Sequence, residues 1–170
     1  MRKKLIKKCK GKIFVFEVFE EKIGKAKIKR DVVKSPKAVG ILPLIDKDKV
    51  ILIRQFRFAI NKEIWEIPAG MLRKGEKPEV GAKRELKEET GYEAKELKKI
   101  GEFYLSPGYS TEYMYLFLAR GLKKGEQSLE KGEKIKEVKI FSKKEVLKMI
   151  KSRKIVDAKT ILALFFSGLT

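Results

Sequence analysis

The chain has 170 residues, 43% hydrophobic and 38% charged, with Lys+Arg 42 against Asp+Glu 23 and a formal net charge of +19. That length suits one domain with at most a small appended piece, and the apolar fraction is enough for a real core. Histidine is absent, which excludes Ser-His and Cys-His nucleophilic sites and the usual zinc ligand. Acid–base and metal chemistry then falls mainly to carboxylates, with Lys, Tyr and Cys9 as lesser candidates.

In chain order, the basic N-terminus "MRKKLIKKCKGK" has no apolar h-region after it and does not read as a signal peptide. Cys9 is the one cysteine, so no intrachain disulfide is possible and a reducing, cytoplasmic compartment is expected. "KIFVFEVFEE" and "GKAKIKRDVV" alternate as two strands joined near Gly24. "KAVGILPLID" and "KVILIRQFRFAI" read as a second pair, turning at Asp46–Lys49. "EIWEIPAG" is a short strand that stops at Pro68 and Gly70.

Pro78 and Glu79 suit the first turn of a helix and Gly91 its C-terminal cap, which predicts a helix over 78–90. "KKIGEFYLS" and "TEYMYLFLAR" are strands flanking the turn "PGYS", and the polar "GLKKGEQSLEKGEK" is a mobile loop. "IKEVKIF" returns as a strand. Ser142 with Glu145 forms a capping box before a helix through about Lys151. Asp157 caps a final helix with Ile161, Leu162, Leu164 and Phe165 as apolar residues, and its run "ILALFF" is too short to span a bilayer. Strands with interspersed helices indicate an α/β or α+β layered domain. Lys and Arg are spread along the whole chain, which predicts a solvated surface rather than a site for specific nucleic acid. The Lys- and Glu-rich, Asp-poor balance is the one reported for heat-stable proteins and predicts thermostability.

The stretch "GMLRKGEKPEVGAKRELKEETGY", Gly70 to Tyr92, gathers Glu76, Glu85, Glu88 and Glu89. On a helix, Glu85 and Glu89 are an i,i+4 pair on one face, with Glu88 on its flank. Ala82, Leu86 and Thr90 on the other flank would pack inward, so the carboxylates are expected beside the buried face. Like charges at i,i+4 repel by a few tenths of a kcal/mol even when exposed. A hard divalent cation such as Mg²⁺ is what clustered carboxylate oxygens bind. The other reading is a salt-bridged surface helix neutralised by Arg84 and nearby lysines.

The spacing of Gly70, Glu76, Arg84-Glu85-Leu86, Glu88-Glu89 and Gly91-Tyr92 resembles the Nudix box, G-x5-E-x7-R-E-U-x-E-E-x-G-U with U apolar. Every specified position matches, with Tyr92 aromatic rather than aliphatic. The resemblance implies an α/β/α sandwich with a mixed sheet and an N-terminal antiparallel β subdomain. The box then forms a loop–helix–loop, with Gly70 and Gly91 at its bends. It assigns metal binding to Glu85 and Glu89, with Glu88 assisting and the backbone carbonyl of Ala69 as a further ligand, for Mg²⁺ or Mn²⁺. Glu76 and Arg84 look like the pair that orients the loop and the carboxylates.

"RQFRF", "EIWEIPAG", "SPGYSTE" with Pro107 sixteen residues after Gly91, and "DAKTILAL" resemble the ADP-ribose pyrophosphatase branch, over about Lys12 to Leu164. That branch hydrolyses ADP-ribose to AMP and ribose 5-phosphate. The substrate residues it suggests are Arg54, Arg57, Trp65, Glu66, Gly108, Tyr109 and Glu112, the last for the terminal ribose. Arg54 and Arg57 are i,i+3 on a strand and point to opposite faces, so at most one reaches the substrate from this subunit's own sheet. Trp65 stacks on a base or belongs to the core. A loop glutamate would activate the water, either Glu133, favoured by "GEKI", or Glu130.

The resemblance divides the chain into a subdomain over 1–38 that packs across a twofold axis in a homodimer, and a hydrolase domain over 39–170. The alternatives are hydrolysis of another nucleoside diphosphate sugar, such as an ADP-sugar or GDP-mannose, and a basic nucleic-acid-binding protein with a Nudix shell. No membrane partner is expected.

Overall fold

The computed structural model describes residues 3–129 and 134–169. Its contacts divide the chain into two compact units, Met1–Ala38 with Glu102–Met114, and Val39–Gly101 with Tyr115–Thr170.

In the first unit β1 (Lys3–Lys10), β2 (Val15–Ile23) and β3 (Ala26–Lys34) form an antiparallel sheet in that order. Gly24, at φ +60°, makes the turn between β2 and β3 in the left-handed region that glycine enters at no steric cost. The strand over 3–10 is not among those expected from sequence. All eight residues of β1 are exposed, so no apolar alternation marks it, and its pairing with β2 supplies the order. The end of β3 is tied to the "SPGYSTE" loop: the Val33 amide donates to the Tyr109 carbonyl at 2.7 Å, and the Thr111 amide to the Val33 carbonyl at 3.0 Å. The Ser35 amide donates to Thr111 Oγ1 at 3.0 Å.

The second unit is built on two sheets. One has the order β10 (Ile135–Ser142), β5 (Lys49–Arg57), β6 (Lys62–Glu66). The other has the order β7 (Ala69–Met71), β4 (Ala38–Pro43), β9 (Tyr113–Lys124), β8 (Tyr92–Tyr104). The strands read from sequence as a pair, β4 and β5, lie in different sheets. An isolated Leu44–Val50 bridge and an Ile45-to-Lys49 hydrogen bond of 2.9 Å close the turn between them. The reason is burial on both faces. β4 is buried throughout and β5 from Val50 to Ile53, so each is the centre of its own sheet rather than half of a hairpin. Residues Phe58–Ile60, expected to continue β5, instead form a 3₁₀ turn ending at Asn61, φ +50°.

Among the described residues three helices complete the mixed α/β architecture. α1 (Pro78–Thr90) starts with Pro78 in its first turn and ends at Gly91, φ +74°, whose amide donates to the Lys87 carbonyl. Its Ala82 and Leu86 pack with Val39 and Ile41 of β4 and Phe117 and Ala119 of β9. α2 (Lys143–Lys151) carries the Ser142/Glu145 capping box, and α3 (Ala158–Phe166) is capped by Asp157. β9 runs on to Lys124, so the expected loop begins at Gly125 rather than Gly121. Among the described residues no helix is long and apolar enough to cross a membrane.

Candidate active site

The end of β6, the short β7 and α1 bring the box together within the second unit. Arg84 is its hub. Its Nε and Nη2 donate to the two oxygens of Glu76 at 2.9 and 3.0 Å, and its Nη1 donates to Glu85 at 2.6 Å and Glu88 at 2.9 Å. Nη2 also reaches the Met71 carbonyl at 3.1 Å, fixing the loop to the helix. The Arg84 hydrogen bonds, against the opposing effect of burial, hold the Glu76 carboxyl down at about 2, and the Arg73 amide adds to the shift. The contribution of this depressed carboxyl is therefore complete above its ordinary range near 4.5 and is lost as pH falls towards 2.

Glu85 and Glu89 are 4% and 1% exposed. They form part of the buried face of α1 instead of flanking it, which corrects the helical-wheel expectation. The local reason is Gly70. A Cβ there would collide with the Glu85 carboxylate, so the missing side chain is what lets that carboxylate lie against the loop backbone. Glu89 accepts a 2.8 Å hydrogen bond from the Ala69 amide. Buried carboxylates this close together demand compensating positive charge. Arg84 supplies part of it, and among the described residues no three acidic or cysteine side chains stand ready as a ligand cluster. The available donors are all oxygen, the chemistry a hard divalent cation requires.

A second charged network sits at the end of β6. Glu66 is fully buried and accepts from Arg57 Nε at 2.8 Å and Nη2 at 2.7 Å. Lys159 of α3 also pairs with Glu66 and donates to Asp157 at 2.9 Å. Thr160 Oγ1 accepts the Ile67 amide at 2.8 Å while donating to Asp157 at 2.6 Å. Burial works against the Arg57 charge, but the Glu66 hydrogen bond and the fields of Glu66, Glu89 and Asp157 outweigh it and raise its pKa. Arg57 thus lies in the field of the box carboxylate Glu89. Arg54 has separate partners, Glu63 at 3.5 Å and Glu137 at 3.1 Å, and sits over the Trp65 ring at 5.8 Å. Trp65 meets Phe141 edge-on, with centroids 4.9 Å apart.

Gly108, Tyr109 and Glu112 belong to the first unit. Tyr109 is exposed, and the Glu112 amide donates to Ser110 Oγ at 3.1 Å. Glu130 and Glu133 lie outside the described residues. Sequence reasoning missed Lys159 and Thr160 as partners of Glu66 and Ile67. "DAKT" showed a helix cap, but no local pattern tells which strand end a cap will meet.

The NUDIX domain family matches residues 34–164 of the chain. An ADP-ribose pyrophosphatase of Bacillus subtilis is 47% identical, covering 83% of this chain and 76% of the relative. A methanol dehydrogenase activator of Bacillus methanolicus is 39% identical, covering 79% and 74%. A GDP-mannose pyrophosphatase of Shigella flexneri is 36% identical, covering 69% and 65%. A crystal structure of an ADP compounds hydrolase superposes with a TM-score of 0.81 at 20% identity, covering 99% of this chain and 93% of that one, a likeness of fold. With a complete box folded as loop, helix and loop, and a family match over most of its length, the chain belongs to the Nudix hydrolases.

Proposed function

We propose that the chain hydrolyses the pyrophosphate of ADP-ribose to AMP and ribose 5-phosphate, using bound Mg²⁺ or Mn²⁺. The observation that carries this is the buried acidic face of α1, with Glu85 and Glu89 almost fully enclosed beside Ala69 and Gly70, in a chain related to an ADP-ribose pyrophosphatase. Nudix hydrolases generally use divalent metals. Here Glu85 and Glu89 would hold the cation, with Glu88 assisting and the Ala69 carbonyl as a further ligand. When bound, such a cation offsets charge on the pyrophosphate oxygens and makes a water more acidic.

The chain's own residues supply the remainder. Arg84 and Glu76 keep the carboxylates and the loop in place. Arg57, braced by Glu66, offers its guanidinium to a phosphate from the Glu89 side. Glu112 is the proposed partner of the terminal ribose, and Glu133 or Glu130 the proposed base. A water oxygen bonds to one phosphorus as the bridging P–O bond breaks. AMP and ribose 5-phosphate each leave with one phosphate, and a proton of the water passes to the base. The GDP-mannose pyrophosphatase relative favours hydrolysis of another nucleoside diphosphate sugar as the second reading.

The test follows AMP release from ADP-ribose. We expect no turnover in excess EDTA and recovery on adding Mg²⁺ or Mn²⁺. Full activity in the metal-stripped protein would end the metal assignment.

A homodimer formed through the first unit also belongs to this reading. It is supported by the exposed Leu5, Ile6, Ile13, Phe14, Phe16 and Ile23 of that unit. Light scattering should give twice the 19.6 kDa chain mass, and a monomer at micromolar concentration would rule the dimer out. Cys9, free and exposed, suits a reducing, cytoplasmic setting. The surface ion pairs suit the proposed heat stability.

A further inference from the structure

We propose that Gln127 is a positioning residue of the proposed reaction, acting through the backbone of Glu89. The inference rests on the reading of Glu88 and Glu89 as metal-holding carboxylates. The last turn of α1 ends in carbonyl groups with no partner inside the helix, as every helix does. Two of those carbonyls, and that of the capping Gly91, are met by one segment after β9. Gln127 Nε2 donates to the Glu89 carbonyl, the Ser128 amide to the Glu88 carbonyl at 3.2 Å, and the Gly125 amide to the Gly91 carbonyl at 2.7 Å.

Gly91 has a second reason to be glycine beyond its φ of +74°. A Cβ there would stand 3.0 Å from the Gln127 amide nitrogen and 3.1 Å from the Gly125 carbonyl oxygen. The last glycine of the box therefore lets the segment approach as well as ending the helix. Gly125 and Gln127 also line a cavity of about 530 Å³ together with Thr90, Tyr92, Lys124 and Val138. Open space thus adjoins both residues, and their bonds to α1 help to fix them. In return they pin the peptide units from which the Glu88 and Glu89 side chains spring. Of these three donors only Gln127 uses its side chain, so it is the contact that mutation can remove.

The test compares Gln127→Ala and Gln127→Lys with the wild type. Gln127 is exposed, so neither change threatens the fold. In Gln127→Ala we expect the Mn²⁺ dissociation constant, read by EPR, to rise about fivefold, as loss of one hydrogen bond implies. We expect kcat to fall by a similar factor with KM for ADP-ribose within about twofold. Amide exchange over residues 86–91, followed by mass spectrometry in the metal-free protein, should speed up. The Gln127→Lys variant offers an ammonium donor to the same carbonyl at a helix C-terminus, where positive charge is favoured, so it should restore all three readouts. Unchanged exchange in Gln127→Ala overturns the joint, whatever the metal does. Faster exchange with unaltered Mn²⁺ affinity and kcat overturns its role in the reaction. If the wild type neither binds Mn²⁺ nor hydrolyses ADP-ribose, the functional reading falls with this role, and the exchange result still decides the joint.

Discussion

Glu89→Gln is expected to lower kcat at least about a hundredfold, or some 2.7 kcal/mol of lost transition-state stabilisation, while the protein stays folded. Three features of Glu89 lead there. It is 1% exposed, so its charge is barely solvated. It lies in the last turn of α1, where the helix dipole disfavours an anion. It also lies in the field of Arg57. A carboxylate placed against solvation and against the dipole calls for positive charge, of which Arg57 supplies a part and the proposed cation would supply the rest. The amide of Gln keeps the shape and can still accept from the Ala69 amide, now at 2.8 Å, so the fold survives while the charge that holds a cation is gone. Steady-state kinetics beside circular dichroism makes the check. A folded Glu89→Gln enzyme of near-normal rate would return Glu89 to a structural role.

Glu66→Ala should destabilise the fold by about 3 kcal/mol, in the range found when one partner is taken from a buried ion pair. Glu66 is fully buried with Arg57 and Lys159 both on its oxygens, and Lys159 is itself buried. Removing the carboxylate leaves two cations facing each other with Asp157 as remaining counter-charge for Lys159. For a chain of this length the melting temperature should drop by roughly 6–12 °C. Lys159→Met alone should also destabilise, because it leaves a buried carboxylate with one partner. The double variant Glu66→Met/Lys159→Met should lose less than the sum of the single changes, since it leaves no buried ammonium without Glu66 and no buried carboxylate without Lys159, while Arg57 loses Glu66 as it does in the single variant. Thermal unfolding of the set gives the answer, and a Glu66→Ala melting temperature within about 2 °C of wild type would show that the network carries no stability.

What the sequence made legible was local. α1 runs from Pro78 to Thr90, as proline in the first turn and glycine at the cap said it would. Ser142 and Glu145 close the capping box that starts α2. In both cases residues a few positions apart fix the geometry. The losses were long-range. β4 and β5 are sequential and both apolar, and nothing local says that they belong to different sheets. β1 has no buried residue, so only its partner strand reveals it. The burial of Glu85 and Glu89 depends on what the loop at Ala69 and Gly70 covers, which a helical wheel does not contain. Lys159 meets Glu66 across 93 residues of chain, beyond the reach of any spacing argument. The box gave the chemistry, because its spacing is short and its residue types are dictated by it.

The central claim is that α1 serves a nucleoside diphosphate sugar, ADP-ribose first. Its most direct test is kcat/KM for ADP-ribose, GDP-mannose and ATP under one Mg²⁺ condition. ADP-ribose is expected to be the best of the three. A triphosphate carries no terminal ribose, so groups that recognise that sugar would be left unpaired. A tenfold advantage for GDP-mannose or ATP, a preference of about 1.4 kcal/mol, would contradict the ADP-ribose assignment.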